Sequence, residues 1–233
     1  MKPVDHIYDD VCCLDNLFGA AKATLAQGRR FCGEGAKFKF NLEGNILRLH
    51  EQLSSERYRH GRYSLFKVYD PKVRIIAAAS VRDRVVHHAI HDVIEPRLDR
   101  MFIADSYACR HGKGTYRALE RAHGFLRANR YGLHLDVKSY FASIDHQILK
   151  KLLRRYVADE RALRLLLHIV DSTAYMASKS GLCATVTSFA PVEAEQLELP
   201  LDGDDEKEIS SDGHRVRGIP LGNLTSQFFA NLY

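Results

Sequence analysis

The chain has 233 residues, 45% of them hydrophobic and 27% charged, a composition ordinary for a globular protein with a sizeable core in one or two domains. Its net charge of +5 is uneven: Val192 to Asp212 carries nine acids and one lysine, a local −8 that leaves +13 on the rest, so a basic body suited to a polyanion is expected beside an acidic strip too polar to bury. The N-terminus, Met1-Lys2-Pro3-Val4-Asp5-His6, lacks the apolar stretch of a signal peptide, no apolar run reaches membrane-spanning length, and the five cysteines form no C-x-x-C pair, so a cytoplasmic protein with reduced thiols, no membrane contact and no structural zinc is expected.

In chain order, Leu14 to Gln27 has apolar residues at helical spacing closed by Gly28, and a basic loop rich in glycine follows from Arg29 to Gly35. Asn41 to Leu53 repeats the helical pattern. Two strand-like runs, Ser64 to Tyr69 and Val73 to Ala79, flank the turn signal Asp70-Pro71-Lys72 and predict a hairpin. Lys72 and Arg74 sit at its tip and start, where an Arg fork and a mobile Lys charge could clamp a triphosphate.

Ser80 opens a helix with Asp83 at the capping-box position, and Pro96 is expected to end it. His87 and His91 lie one turn apart on it, with His88 between. No third ligand or catalytic glutamate accompanies them, so an interfacial or phosphate-facing place is expected rather than a metal site. From Asp105 to Thr115 runs a loop of small and basic residues without Walker spacing, leading into a helix capped by Thr115. Arg110 and Lys113 are its candidate contacts with a nucleic-acid backbone.

Leu133, Leu135 and Val137 alternate with His134, Asp136 and Lys138, the period of a strand with one buried face, which predicts Asp136 on the other face at the strand end. Asp145 then stands as N-cap to a helix through Ile148, Leu149, Leu152 and Leu153. A carboxylate so placed suits Mg²⁺, which takes hard oxygen ligands and keeps few protein carboxylates. Phe141, five residues on, would lie against the sugar of a bound nucleotide and leave no room for a 2′-hydroxyl. Asp159 to Val170 predicts another helix, Ser178 to Ala190 a short hairpin, and 191–214 an acidic insertion. At the end, glycines flank Ile219-Pro220-Leu221, and Asn223 is expected to cap a helix from Leu224 that stops after little more than two turns.

Taken in order, Val68 through Arg74, Arg82-Asp83-Arg84, Ser106 through Arg110, Asp136 through Phe141, and Gly218 through Gln227 resemble the motif series of the bacterial reverse transcriptases. The likeness is greatest to the diversity-generating retroelement type, with group II intron and retron enzymes more distant, and it covers about Leu14 to Tyr233. The resemblance implies an α+β right-hand polymerase: helix-rich fingers with a β-hairpin over 1–131, and over 132–233 a partial palm with an incomplete antiparallel sheet. It implies an RNA-directed DNA polymerase that adds dNTPs to a DNA or RNA primer on an RNA template, using two Mg²⁺ ions, with a basic accessory protein as a further candidate partner.

By the same resemblance, Asp136 is the catalytic metal ligand, joined by the Val137 carbonyl, and Phe141 is the gate against ribonucleotides. Lys72 and Arg74 match the residues that grip the incoming triphosphate, and Gly222 would lie under the templating pair. Gln227 stands where intron enzymes carry proline. Leu221 replaces a glutamine common among relatives, a departure associated in the diversity-generating type with error-prone copying. One departure is larger. The family's second aspartate pair, in a Tyr-x-Asp-Asp hairpin, should follow the Gly222 helix; Tyr8-Asp9-Asp10 and Gly203-Asp204-Asp205 both precede it. The chain alone is therefore expected not to polymerise, and a non-catalytic RNA-binding remnant is the competing expectation.

Overall fold

Burial of amphipathic helices around one central helix builds this molecule. The computed structural model describes residues 3–26, 33–69, 73–179 and 216–233. Four helices come first: α1 (Tyr8–Cys12), α2 (Leu14–Thr24), α3 (Gly33–Phe40) and α4 (Leu42–Ser54). A hairpin follows, β1 (Ser64–Tyr69) and β2 (Val73–Ala78), then the long α5 (Val81–Leu98), which ends in a 3₁₀ turn over Asp99–Met101. After α6 (Thr115–Ala128) come the single turn α7 (Tyr140–Ser143), α8 (His146–Tyr156), α9 (Glu160–Lys179) and α10 (Leu224–Leu232). The architecture is thus helix-rich with a small antiparallel two-stranded sheet, as α+β requires. Among the described residues no helix is long and apolar enough to cross a membrane.

α5 buries a broad face, with Val85, Val86, Ala89, Ile90, Ile94 and Leu98 inside together with the polar Asp83, His87 and His91, as a helix enclosed by others does. It packs on α1, α2, α3 and α10, and one continuous core joins it to Leu149, Leu153, Leu166 and Phe229. Its start follows the expected box, with a change. The Ser80 hydroxyl accepts from Asp83 N, but the short Asp83 side chain takes the Ser80 hydroxyl and Gly61 N–H. Glu34 of α3 reaches across to accept from Val81 N at 2.8 Å, so part of the predicted glycine loop is instead a helix that caps its neighbour. Pro96 does not end α5; in the last turn it forfeits a single backbone bond, and the helix runs on to Leu98.

Asp159 has a larger part than its place before α9 promised. One carboxylate oxygen accepts from Arg161 N and Ala162 N, and the other from Ile7 N and Tyr8 N, so one side chain caps α9 and α1 together. Beside it Val4 bridges to Val157 in parallel, pinning the N-terminal segment.

Other expectations are corrected. Gly132 to Val137 forms no helix and pairs with no strand among the described residues, and Leu133 and Leu135 are 84% and 78% exposed rather than buried. Alternation alone does not make a strand; one forms only where a partner meets it. Gly114, not Thr115, is the N-cap of α6. Lys72, the 180–190 segment, Gly203-Asp204-Asp205 and the acidic insertion 191–214 lie outside the described residues.

Candidate functional site

Three stretches far apart in sequence meet around the start of α10. The first is β2, whose Arg74 stands exposed opposite Val68 at the turn end of the hairpin. The second is the turn through α7. The third is Arg217 to Asn223. Ala77 N donates to the Leu221 carbonyl at 3.2 Å, and the Asn223 amide bridges the strand end, donating to Ala77 O at 2.9 Å and accepting from Ala79 N at 3.4 Å. The expected capping bond from Asn223 is absent because its side chain is committed to this bridge. Gly222 has φ +101°, and a Cβ there would stand 2.7 Å from Ile76 Cγ2, so the loop lies directly on the hairpin.

The same loop is stitched to the α7 turn. Gly218 N donates to Ile144 O at 2.8 Å and Ile219 N to Phe141 O at 2.9 Å. His146 clamps the pair: its backbone N–H donates to Val216 O, and its Nε2 lies 2.7 Å from Gly218 O. Since a carbonyl only accepts, Nε2 carries the proton and the buried Nδ1 is left without a partner. Burial pushes this imidazole below its ordinary pKa. Tyr140 ties the turn to α10 through a bond from its hydroxyl to Ala230 O at 2.7 Å.

Within this frame Phe141 is partly buried against the core and edge-on to Tyr140, 6.1 Å between ring centroids. Asp136 is exposed and makes no hydrogen bond or ion pair with any described residue. Ser139, between them, sits at φ +54°, left-handed backbone that costs a non-glycine residue about 1–2 kcal/mol. Gln227 is half-buried in the first turn of α10, and Leu221 contributes its carbonyl to β2.

Arg110 is placed differently from its expected role. All five of its N–H groups are spent inside the loop, on both carboxylate oxygens of Asp99 and on the carbonyls of Asp99, Ile103 and Ser106. No donor remains for a phosphate. Lys113 bonds the Ala104 carbonyl and lies 4.8 Å from the centre of the Tyr107 ring.

Of the α5 histidines, His87 and His91 are buried within the fold and His88 is half-buried. His87 is fully buried, and burial lowers its pKa to about 3. Its Nε2 faces His60 Nε2 at 3.2 Å, while its Nδ1 is 3.5 Å from the Thr225 hydroxyl. His60 Nδ1 bonds Gly61 O and must hold its proton there, so the bonds run one way: Thr225 to His87, His87 to His60, His60 to the carbonyl. Beside this chain Asp83 accepts from Tyr58, Ser80, Gly61 and Arg82. Burial pushes its carboxyl up, but the His60, Ser80 and Arg82 interactions prevail and hold it below the ordinary value. Sequence reasoning missed His60 and His146, and read Asn223 only as a cap. Their partners are up to 146 residues away, and no local pattern marks them.

Among the described residues no group of three His, Cys, Asp or Glu side chains could hold a metal ion. Asp136 with the Val137 carbonyl offers one carboxylate and one neutral oxygen, which does not fit a pair of Mg²⁺ ions about 3.5–4 Å apart.

No protein-family model matches the sequence. A stretch of 109 residues is 29% identical to protein YkfC of Escherichia coli (strain K12), over 43% of this chain. The match spans 29% of YkfC's length.

Proposed function

We propose that this chain is the fingers and adjoining palm portion of an RNA-directed DNA polymerase, with residues 1–131 as fingers and 132–233 as part of the palm. One observation carries the reading. The hairpin, the Phe141 end of the Asp136–Phe141 stretch and the Gly218–Gln227 stretch, which resemble reverse transcriptase motifs separately, are held in one neighbourhood by the bonds of Leu221, Asn223, Gly218 and Ile219. In this reading Arg74, with Lys72, binds the triphosphate of an incoming dNTP, Gly222 and Leu221 lie under the templating pair, and Phe141 excludes the ribose hydroxyl. The template is RNA and the primer DNA or RNA.

A second reading has its own support. The charge of +13 carried outside Val192 to Asp212 suits a protein that binds RNA without catalysis. Nucleotide retention separates the two without requiring turnover. On an RNA template with an annealed primer, the polymerase reading expects the chain to retain the complementary dNTP over the other three. Arg74→Ala then weakens retention, and Phe141→Ala admits the matching ribonucleotide. Template binding with a steep salt dependence but no preference for the complementary nucleotide supports the RNA-binding reading and ends the polymerase one.

A further inference from the structure

The segment after α4, together with α1 and α9, lines an open cavity of about 520 Å³ away from the meeting of the hairpin, α7 and Gly218 to Asn223. Arg59, Arg161, Arg164 and His168 line it with two carboxylates, Glu56 and Asp171. The cations differ in what they have left to give. Arg161 gives Nε to Glu56, Nη1 to Asp9 and Nη2 to the Ser54 carbonyl, with the Tyr8 ring 4.3 Å away. Arg164 gives Nε and Nη2 to Glu56, and its Nη1 comes only within 3.6 Å of Glu160. Arg59 bonds the carbonyl of its neighbour Tyr58 through Nη1, and its guanidinium makes no other hydrogen bond or ion pair with a described residue.

His168 is the telling member. The backbone N–H of His60 donates to His168 Nε2 at 3.0 Å, so the neutral ring must carry its proton on Nδ1. That N–H has no acceptor among the described residues. Both lining carboxylates, by contrast, are already matched, Glu56 by two arginines and Asp171 by Lys150. The cavity therefore gathers unspent donors from two segments and no unspent acceptor charge.

We infer that this cavity binds a phosphate group, with Arg59, the outer N–H groups of Arg164 and the Nδ1–H of His168 as its donors. Phosphate presents several acceptor oxygens, enough for donors arriving from two segments, and a guanidinium matches two of them at once. The phosphate could come from a nucleic-acid backbone or from a free nucleotide. The site stands or falls independently of the polymerase reading.

Titration of the whole chain with inorganic phosphate tests it, followed by ¹⁵N signals of the Arg59 guanidinium and the His168 ring. Both are expected to move along one saturable curve, with Arg59→Ala weakening binding at least about tenfold, as loss of a charge-assisted bond implies. Arg59→Lys, which keeps the charge, recovers part of the loss, and Arg127→Ala on the distant α6 changes nothing. Repeating the titration with a mononucleotide and with a ten-residue uridine oligonucleotide assigns the source: a much tighter oligonucleotide that displaces phosphate points to a backbone, equal affinities to a free nucleotide. Shifts that never saturate, or binding unaltered in Arg59→Ala, would overturn the site.

Discussion

Alanine at position 222 meets two separate penalties. The left-handed φ of +101° disfavours any Cβ, and that Cβ would stand 2.7 Å from Ile76 Cγ2. Backbone strain of about 1–2 kcal/mol plus a crowding cost of about 1–3 kcal/mol predicts a loss of roughly 2–5 kcal/mol for Gly222→Ala, read from urea midpoints. Ile76→Ala in the same chain removes the crowding but not the strain, so the double variant should lose less than the two single losses together. Simple additivity would show that the loop does not rest on Ile76. Asp159 is the complementary case, a residue whose value lies in four accepted N–H bonds. Burial raises its carboxyl, yet the backbone bonds outweigh this and hold it below the usual carboxylate range. With a cap worth about 1 kcal/mol and two helices capped, Asp159→Ala should cost about 2 kcal/mol, and Asp159→Asn somewhat less.

The hairpin and α10 form one mechanical element because Asn223 replaces a ladder partner at the end of β2. Asn223→Ala leaves a buried N–H at Ala79 and a carbonyl at Ala77 unpaired, each costing about 1–3 kcal/mol. The expected signature is faster amide exchange across β1 and β2 with α2 unaffected; uniform acceleration would mean the bridge serves global stability instead. Much of this element level was legible in sequence. The hairpin, α4, α5, α8 with its Asp145 cap, and the short α10 all follow from periodicity and capping within a few residues. What escaped depends on distant partners. Gly132 to Val137 carries the alternation of a strand but no local signal says what it pairs with, and Asn223 has the sequence of a cap while its amide serves a strand 146 residues earlier. The site was legible in part for the same reason: the motifs can be read one by one, whereas their meeting around Gly218 to Asn223 cannot.

At the scale of the molecule, the core excludes water from several imidazoles at once, and this sets how stability responds to acid. His60, His87, His146 and His168 all have pKa values lowered first by burial, with His87 brought to about 3. In the unfolded chain each titrates near its ordinary value of about 6.5. Above that pH neither state binds the proton, so these groups add no pH dependence. Below it the unfolded chain is protonated while folded His87 stays neutral until about pH 3, so acid favours unfolding throughout that window. His87 alone contributes a slope of about 1.4 kcal/mol per pH unit, and the other three act in the same direction over narrower ranges. Asp83 and Asp159, held below their ordinary values, add a further loss only as pH falls below about 4. Urea midpoints should therefore hold steady from pH 8 to 7 and decline from about pH 6.5, well before carboxylates titrate. In His87→Leu the slope between pH 6 and 4.5 should shrink by about 1.4 kcal/mol per unit even though the variant loses the bonds to His60 and Thr225. A profile flat down to pH 5 would mean that the chain from Thr225 through His87 to His60 is open to water in solution.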